Sequence, residues 1–194
     1  MKFIKDHSYD IIRLYIIQIG ISIFSLLLYT SVSGLDDNDL ANKLKIAISI
    51  FAILFFFALI YTLSWEWGAN DIIRIDAGRQ KKNVFKGTIL AACANILNVI
   101  LAGACIISMV AYMNGSGGAL SVLQVFNLIL RMTDAMYIGV LMSIFSFAEG
   151  TDLYNLYQSI GYMLTPLLSM AVTHVGYVFG LKNIKIFGSK AKKS

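Results

Sequence analysis

Arg131 and Asp134 stand three residues apart inside an otherwise apolar stretch, Leu120 to Phe147. On a helix that spacing lets a guanidinium meet a carboxylate, and an ionisable pair at membrane depth points to a solute or ion contact lining an external cavity. The competing reading lays the segment at the outer interface, with both heads among the lipid headgroups. Either charge left unpaired at the bilayer centre would cost about 2.5–3.5 kcal/mol. Asn95 and Asn98 share one face of a neighbouring apolar run, where they could line a polar path or, more commonly, bond between helices. His174 is a possible proton-linked group, since imidazole titrates near neutrality; beside Thr173 it reads more often as a helix-to-helix hydrogen bond. Arg131, Asp134, Asn95, Asn98 and His174 together form the candidate intramembrane polar site.

No other chemistry is spelled out. There is no His-x-x-x-His, no Cys-x-x-Cys and no nucleophile signature, so neither a metal nor another cofactor is expected. Asn114 to Gly118 lacks the Gly-Lys-Ser/Thr of a phosphate loop and reads as a flexible connector. Cys93 and Cys105 fall on one run, about 18 Å apart at ~1.5 Å per residue, and cannot bond each other.

The elements that must hold these residues follow from composition. Of 194 residues, 58% are hydrophobic and 14% charged, where a soluble domain carries about 25% charge. That nearly excludes a water-soluble enzyme. Helices able to cross a core about 30 Å thick need roughly 20 apolar residues. Four such runs occur, at about 11–32, 44–65, 88–113 and 160–181. The fifth stretch, 120–147, is expected to be re-entrant or interfacial, breaking between Arg131 and Asp134; the alternative is a fifth span. The fold expected is an all-α, polytopic transmembrane helical bundle, one domain over 1–194. Ser31-Val32-Ser33 faintly imitates a signal-peptide cleavage site, but the apolar run before it is too long, so the first span is read as retained.

Charge sets the expected orientation. Thirteen of the 16 basic residues precede or open the first span, fill the second loop or follow the last span, which marks those places as cytoplasmic. The full fifth crossing would put the Lys-rich tail outside, so the same rule favours four crossings with both termini inside. The loop 66–87 is the richest stretch. Trp65 and Trp67 belong to the interface belt, and the second span is expected to continue past them as a surface helix through Asp76, with Asp71–Arg74 and Asp76–Arg79 at pairing distance and Gly78 as terminator. Arg74, Arg79, Lys81, Lys82 and Lys86 are candidate contacts for anionic lipid headgroups or for a partner, either another membrane subunit or a second copy. Nucleic acid is not an expected partner, because the basic residues behind the net charge of +5 sit where the bilayer retains them.

Helices in lipid associate through small residues and interhelical hydrogen bonds. Gly87, Ala91, Asn95, Asn98, Ala102 and Cys105 make one such stripe, and Gly161, Thr165, Ser169, Thr173, Gly176 and Gly180 another. Pro166, the only proline, is expected to free the carbonyl of Tyr162 and kink the helix there, with Thr165 able to bond the freed group.

Trp65, Gly68, Asp71, Gly78, Arg79, Lys86 and Gly87, with Gly176-Tyr177 and Gly180, form a pattern that resembles small polytopic membrane proteins of Gram-positive, Clostridia-type bacteria whose activity is uncharacterised. The resemblance implies a bacterial cytoplasmic membrane and names no activity. The function expected is therefore a non-enzymatic accessory or transport-associated subunit of a membrane complex; the alternatives are a small-solute binding or translocating protein and, third, an intramembrane enzyme.

Overall fold

The computed structural model describes residues 2–151 and 153–184, residue 2 by its backbone alone. Lys185, Lys190, Lys192 and Lys193, counted above in the basic tail, lie outside the described residues. Within them the chain is helical throughout, with no strand. It runs α1 Lys2–Asp6, α2 Ser8–Val32, α3 Asn38–Asp76, α4 Lys86–Met113, α5 Ala119–Thr133, α6 Ile138–Ile144 and α7 Leu153–Leu181, with 3-10 turns at Ala135–Tyr137 and Ser146–Ala148. This is an all-α bundle.

Local chemistry sets several boundaries. Asp37 caps α3, its carboxylate accepting from the backbone N–H groups of Asp39 and Leu40 at 3.0 and 3.1 Å. Three helices end in one way. The N–H of Arg79 reaches the Arg74 carbonyl while Gly78 bonds that of Ile75, and the same double bond recurs at Gly115–Ser116 and at Asn183–Ile184. The residue in the middle must take positive φ, and Gly78, Gly115 and Asn183 do so at 69°, 92° and 51°.

Helices α2, α3, α4 and α7 are each long and apolar enough to cross a membrane. At 39 residues α3 is about 58 Å long, so its last turns, beyond Trp65, project past a 30 Å core. α7 packs along α3 on one side and α4 on the other, and α2 leans on α3 and α4. Large apolar side chains face outwards, among them Leu27, Leu54, Ile100, Ile107 and Leu167, each more than half exposed.

α5 and the following helical segment are bent against each other by 87°. The hairpin enters and leaves at one end of the bundle. Its first turns and Arg131 share a cavity with Asn155 at the start of α7. On the way out, the N–H of Gly139 bonds Ser49 Oγ in the first third of α3, and Tyr29 near the end of α2 reaches Met142 Sδ. α7 then starts from that same end. Four helices therefore run the full length, and the described chain begins and ends at the opposite end. The turn of 120–147 lies against the middle of α2 and α4.

Candidate functional site

The hairpin tip is Asp134, fully buried. α5 stops at Thr133, and Asp134 takes φ −121° and ψ 28°, which breaks the helix and turns its carboxylate inward. Its Oδ1 accepts from Gln18 Nε2 at 2.6 Å and from Asn98 Nδ2 at 3.2 Å. Gln18 and Asn98 lie near the middles of α2 and α4, so the carboxylate sits near half-depth in the bundle. Ser22, one turn beyond Gln18, donates to the Thr133 carbonyl at 2.7 Å and so ties α2 to the last residue of α5. Irregular backbone at this depth is tolerated where protein satisfies it, as here. Two acceptors of this cluster remain unmatched: Asp134 Oδ2 and Asn98 Oδ1.

Arg131 does not pair with Asp134. The helix ends between them, and the guanidinium turns away to Gln158 Oε1 of α7 at 2.8 Å. Half-buried, it lines an open cavity of about 330 Å³ with Gln124, Asn127 and Asn155. A second cavity of about 240 Å³ opens on the other side of the hairpin, where Tyr29, Lys45, Glu149 and Tyr154 surround Gly139. Lys45 Nζ stands 5.2 Å from the Tyr29 ring centroid, a cation–π distance. Both cavities open at the end where the hairpin enters, and Arg131 is one turn from Asp134.

The remaining sequence candidates are distributed differently. Asn95 bonds the Ala91 carbonyl and Ser169 Oγ of α7 at 2.9 and 3.0 Å, so it joins helices and does not contact Asp134. Half-buried His174 is 2.9 Å from Thr88 Oγ1 and stacks on Phe85 with centroids 5.6 Å apart, towards the opposite end. Only Asn98 and Asp134, of the five, are brought together. Gly87, Ala91, Ala102, Gly176 and Gly180 are all buried.

Lys86 requires a correction. It is 6% exposed and faces neither lipid headgroups nor a partner: its Nζ pairs with Asp71 Oδ2 at 2.7 Å, the same oxygen to which Tyr177 Oη donates at 2.8 Å. Asp71 is thereby drawn inward, and no Asp71–Arg74 or Asp76–Arg79 ion pair forms among the described residues. The Asp76–Arg79 pairing needs a helix that has already ended at Gly78. Around the Asp71 cluster the backbones touch. A Cβ at Gly68 would collide with the Tyr177 carbonyl, one at Gly180 with the Trp65 carbonyl, and one at Gly87 would come within 2.8 Å of the Tyr177 side chain. This junction gathers most of the Trp65–Gly180 sequence pattern, yet local spacing gave no sign of the ion pair. Arg74, Arg79, Lys81 and Lys82 remain exposed.

Four membrane-length helices, an apolar exterior and an ionisable group inside define a multi-pass membrane protein. Comparison with models of protein families, with curated proteins and with solved structures finds no match.

Proposed function

We propose that this is a non-enzymatic, transport-associated protein of a bacterial cytoplasmic membrane, whose re-entrant hairpin carries the polar centre through which a small solute or ion is bound or moved. The observation that carries this reading is Asp134: a carboxylate near mid-depth, free of any cationic partner among the described residues and with one oxygen unmatched. Ionisable groups are so costly in a membrane interior that their retention without full pairing favours a working role. A broken helix pointing at that depth is the architecture that binding sites in transporters use. The two cavities beside the hairpin supply an approach, with Arg131 at the edge of one suited to an anionic or carboxylate-bearing group.

Charge bias supports the orientation in which the cavities open outside and the basic loop and both chain ends lie in the cytoplasm. A ligand that binds only the folded state raises its unfolding temperature. A panel of amino acids, organic acids, sugars and nucleobases, screened against the purified chain in detergent, should therefore contain a compound that stabilises the wild type and not Arg131→Ala. No stabilisation across the panel would remove the solute-binding reading.

A second reading, an accessory subunit that acts by contact, is favoured by Arg74, Arg79, Lys81 and Lys82, which stay exposed beside the end of α3. It expects another membrane chain to co-purify at native expression and to be lost when the four are replaced by Gln.

A further inference from the structure

The structure assigns Asp134 and Asn98 as a proton-binding site, a carboxylic acid and a carboxamide closed into a cyclic pair by one proton on Asp134 Oδ2. Asn98 Nδ2 already donates to Asp134 Oδ1 at 3.2 Å, which is one of the two bonds that such a pair requires. The atoms left over are Asp134 Oδ2 and Asn98 Oδ1, both buried and both without a partner. Two acceptors cannot satisfy each other. A proton bound at Oδ2 turns that oxygen into a donor, and the unmatched acceptor on the residue already bonded to this carboxyl is the Asn98 carbonyl oxygen. One proton thus removes two buried unmatched acceptors and the buried negative charge together.

The surroundings favour a proton over a metal cation. Sodium or a divalent ion in a protein gathers about six oxygen ligands. Here two oxygens are free, since Asp134 Oδ1 is already engaged by two amide donors and the Ser22 hydroxyl is spent on the Thr133 carbonyl. No fixed charge replaces the proton either. The groups around the carboxyl are Tyr15 and Gln18 from α2, Asn98 from α4, Tyr137 on the connector to α6 and Tyr162 from α7. α3, which packs on that connector, offers Ser49 to the Gly139 N–H and holds Lys45 in the cavity above. Arg131 on α5 is turned to Gln158.

Release of the proton to water or to an arriving solute would leave a carboxylate facing the Asn98 oxygen at the one break in the hairpin, which gives the tip a reason to move. That coupling role rests on the transport reading proposed above; the proton site itself does not, and the two fail in different experiments.

Infrared difference spectra between wild type and Asp134→Asn in lipid should show, at neutral pH, a protonated carboxylic acid carbonyl band that is present only in the wild type, moves in D2O and is lost on titration to alkaline pH. A wild-type spectrum with only a carboxylate signal for Asp134 at neutral pH overturns the assignment. Because Asn can offer an N–H where the acid offers its O–H, Asp134→Asn should keep the wild-type unfolding temperature, while Asp134→Ala should lower it. A wild type more stable in sodium chloride than in choline chloride, with the difference abolished in Asp134→Asn, would make the site a sodium site and overturn it equally. Uptake by proteoliposomes that ignores an imposed pH gradient would remove the coupling alone.

Discussion

Lys86 and Asp71 are 15 residues apart, which one continuous helix would make about 22 Å, and they meet because the turn at Gly78 returns the chain so that α4 starts beside the end of α3. Helical spacing instead suggested Arg74 for Asp71 and the headgroup layer for Lys86. What decides the outcome is burial: Asp71 is 2% exposed, and a carboxylate held there takes the cation that can follow it inside. Removing one partner of such a pair strands the other. Lys86→Met should destabilise the protein by about 3–5 kcal/mol in reversible unfolding in mixed micelles. Tyr177→Phe, which removes one hydrogen bond to a charged oxygen, should cost about 1.5–3 kcal/mol. Adding Asp71→Asn to Lys86→Met should restore part of the loss, since the stranded charge is then gone. Equal, additive losses would mean that the two residues do not act as a pair.

Between elements, small side chains set how near the backbones come. Both stripes singled out by their spacing of three and four are buried along their lengths, and the faces opposite are apolar and exposed, as at Ile100 and Leu167. Periodicity can tell which face turns inward but not which helix it meets or in what register. Thus Gly176 packs on Ser64 and the Tyr61 carbonyl of α3, whereas Gly161 meets Leu141 of α6. Gly176→Leu and Ala91→Leu should lower the yield of monodisperse protein in detergent severalfold, while Phe55→Leu and Ile100→Leu leave it near wild type. A size-exclusion profile checks both. Pro166 makes a local case of the same rule. It deprives the Tyr162 carbonyl of its helical donor, and Thr165 Oγ1 donates to that oxygen at 2.9 Å. Thr165→Val, nearly the same in shape, should cost about 1–3 kcal/mol for the acceptor left buried and unmatched, read by the same unfolding assay.

At the scale of the molecule, the number of crossings rests on residues 119–148. The four long spans, and the break before the second half of this segment, could be read from run length and from the pair of charges that interrupts it. The route of the segment could not. Hydropathy allows both a bent fifth span and a hairpin, and the difference lies in contacts made across more than 100 residues, such as Gln18 with Asp134 and Tyr29 with Met142. Glu149, just after the hairpin, stands at the same end as Asp36 and Ser116, all exposed in loops that join helices there; Lys82 stands in the loop at the other end. A cysteine placed singly at each, with Cys93 and Cys105 replaced by Ala, should be labelled in intact cells by a membrane-impermeant maleimide at positions 36, 116 and 149, and at position 82 only after the cells are opened. Labelling of position 149 together with 82 would mean that the segment crosses completely, which the contacts of Gly139 with Ser49 and of Tyr29 with Met142 do not allow. Labelling of 82 from outside, with 36, 116 and 149 protected, would keep the hairpin and invert the protein, moving both cavities to the cytoplasm.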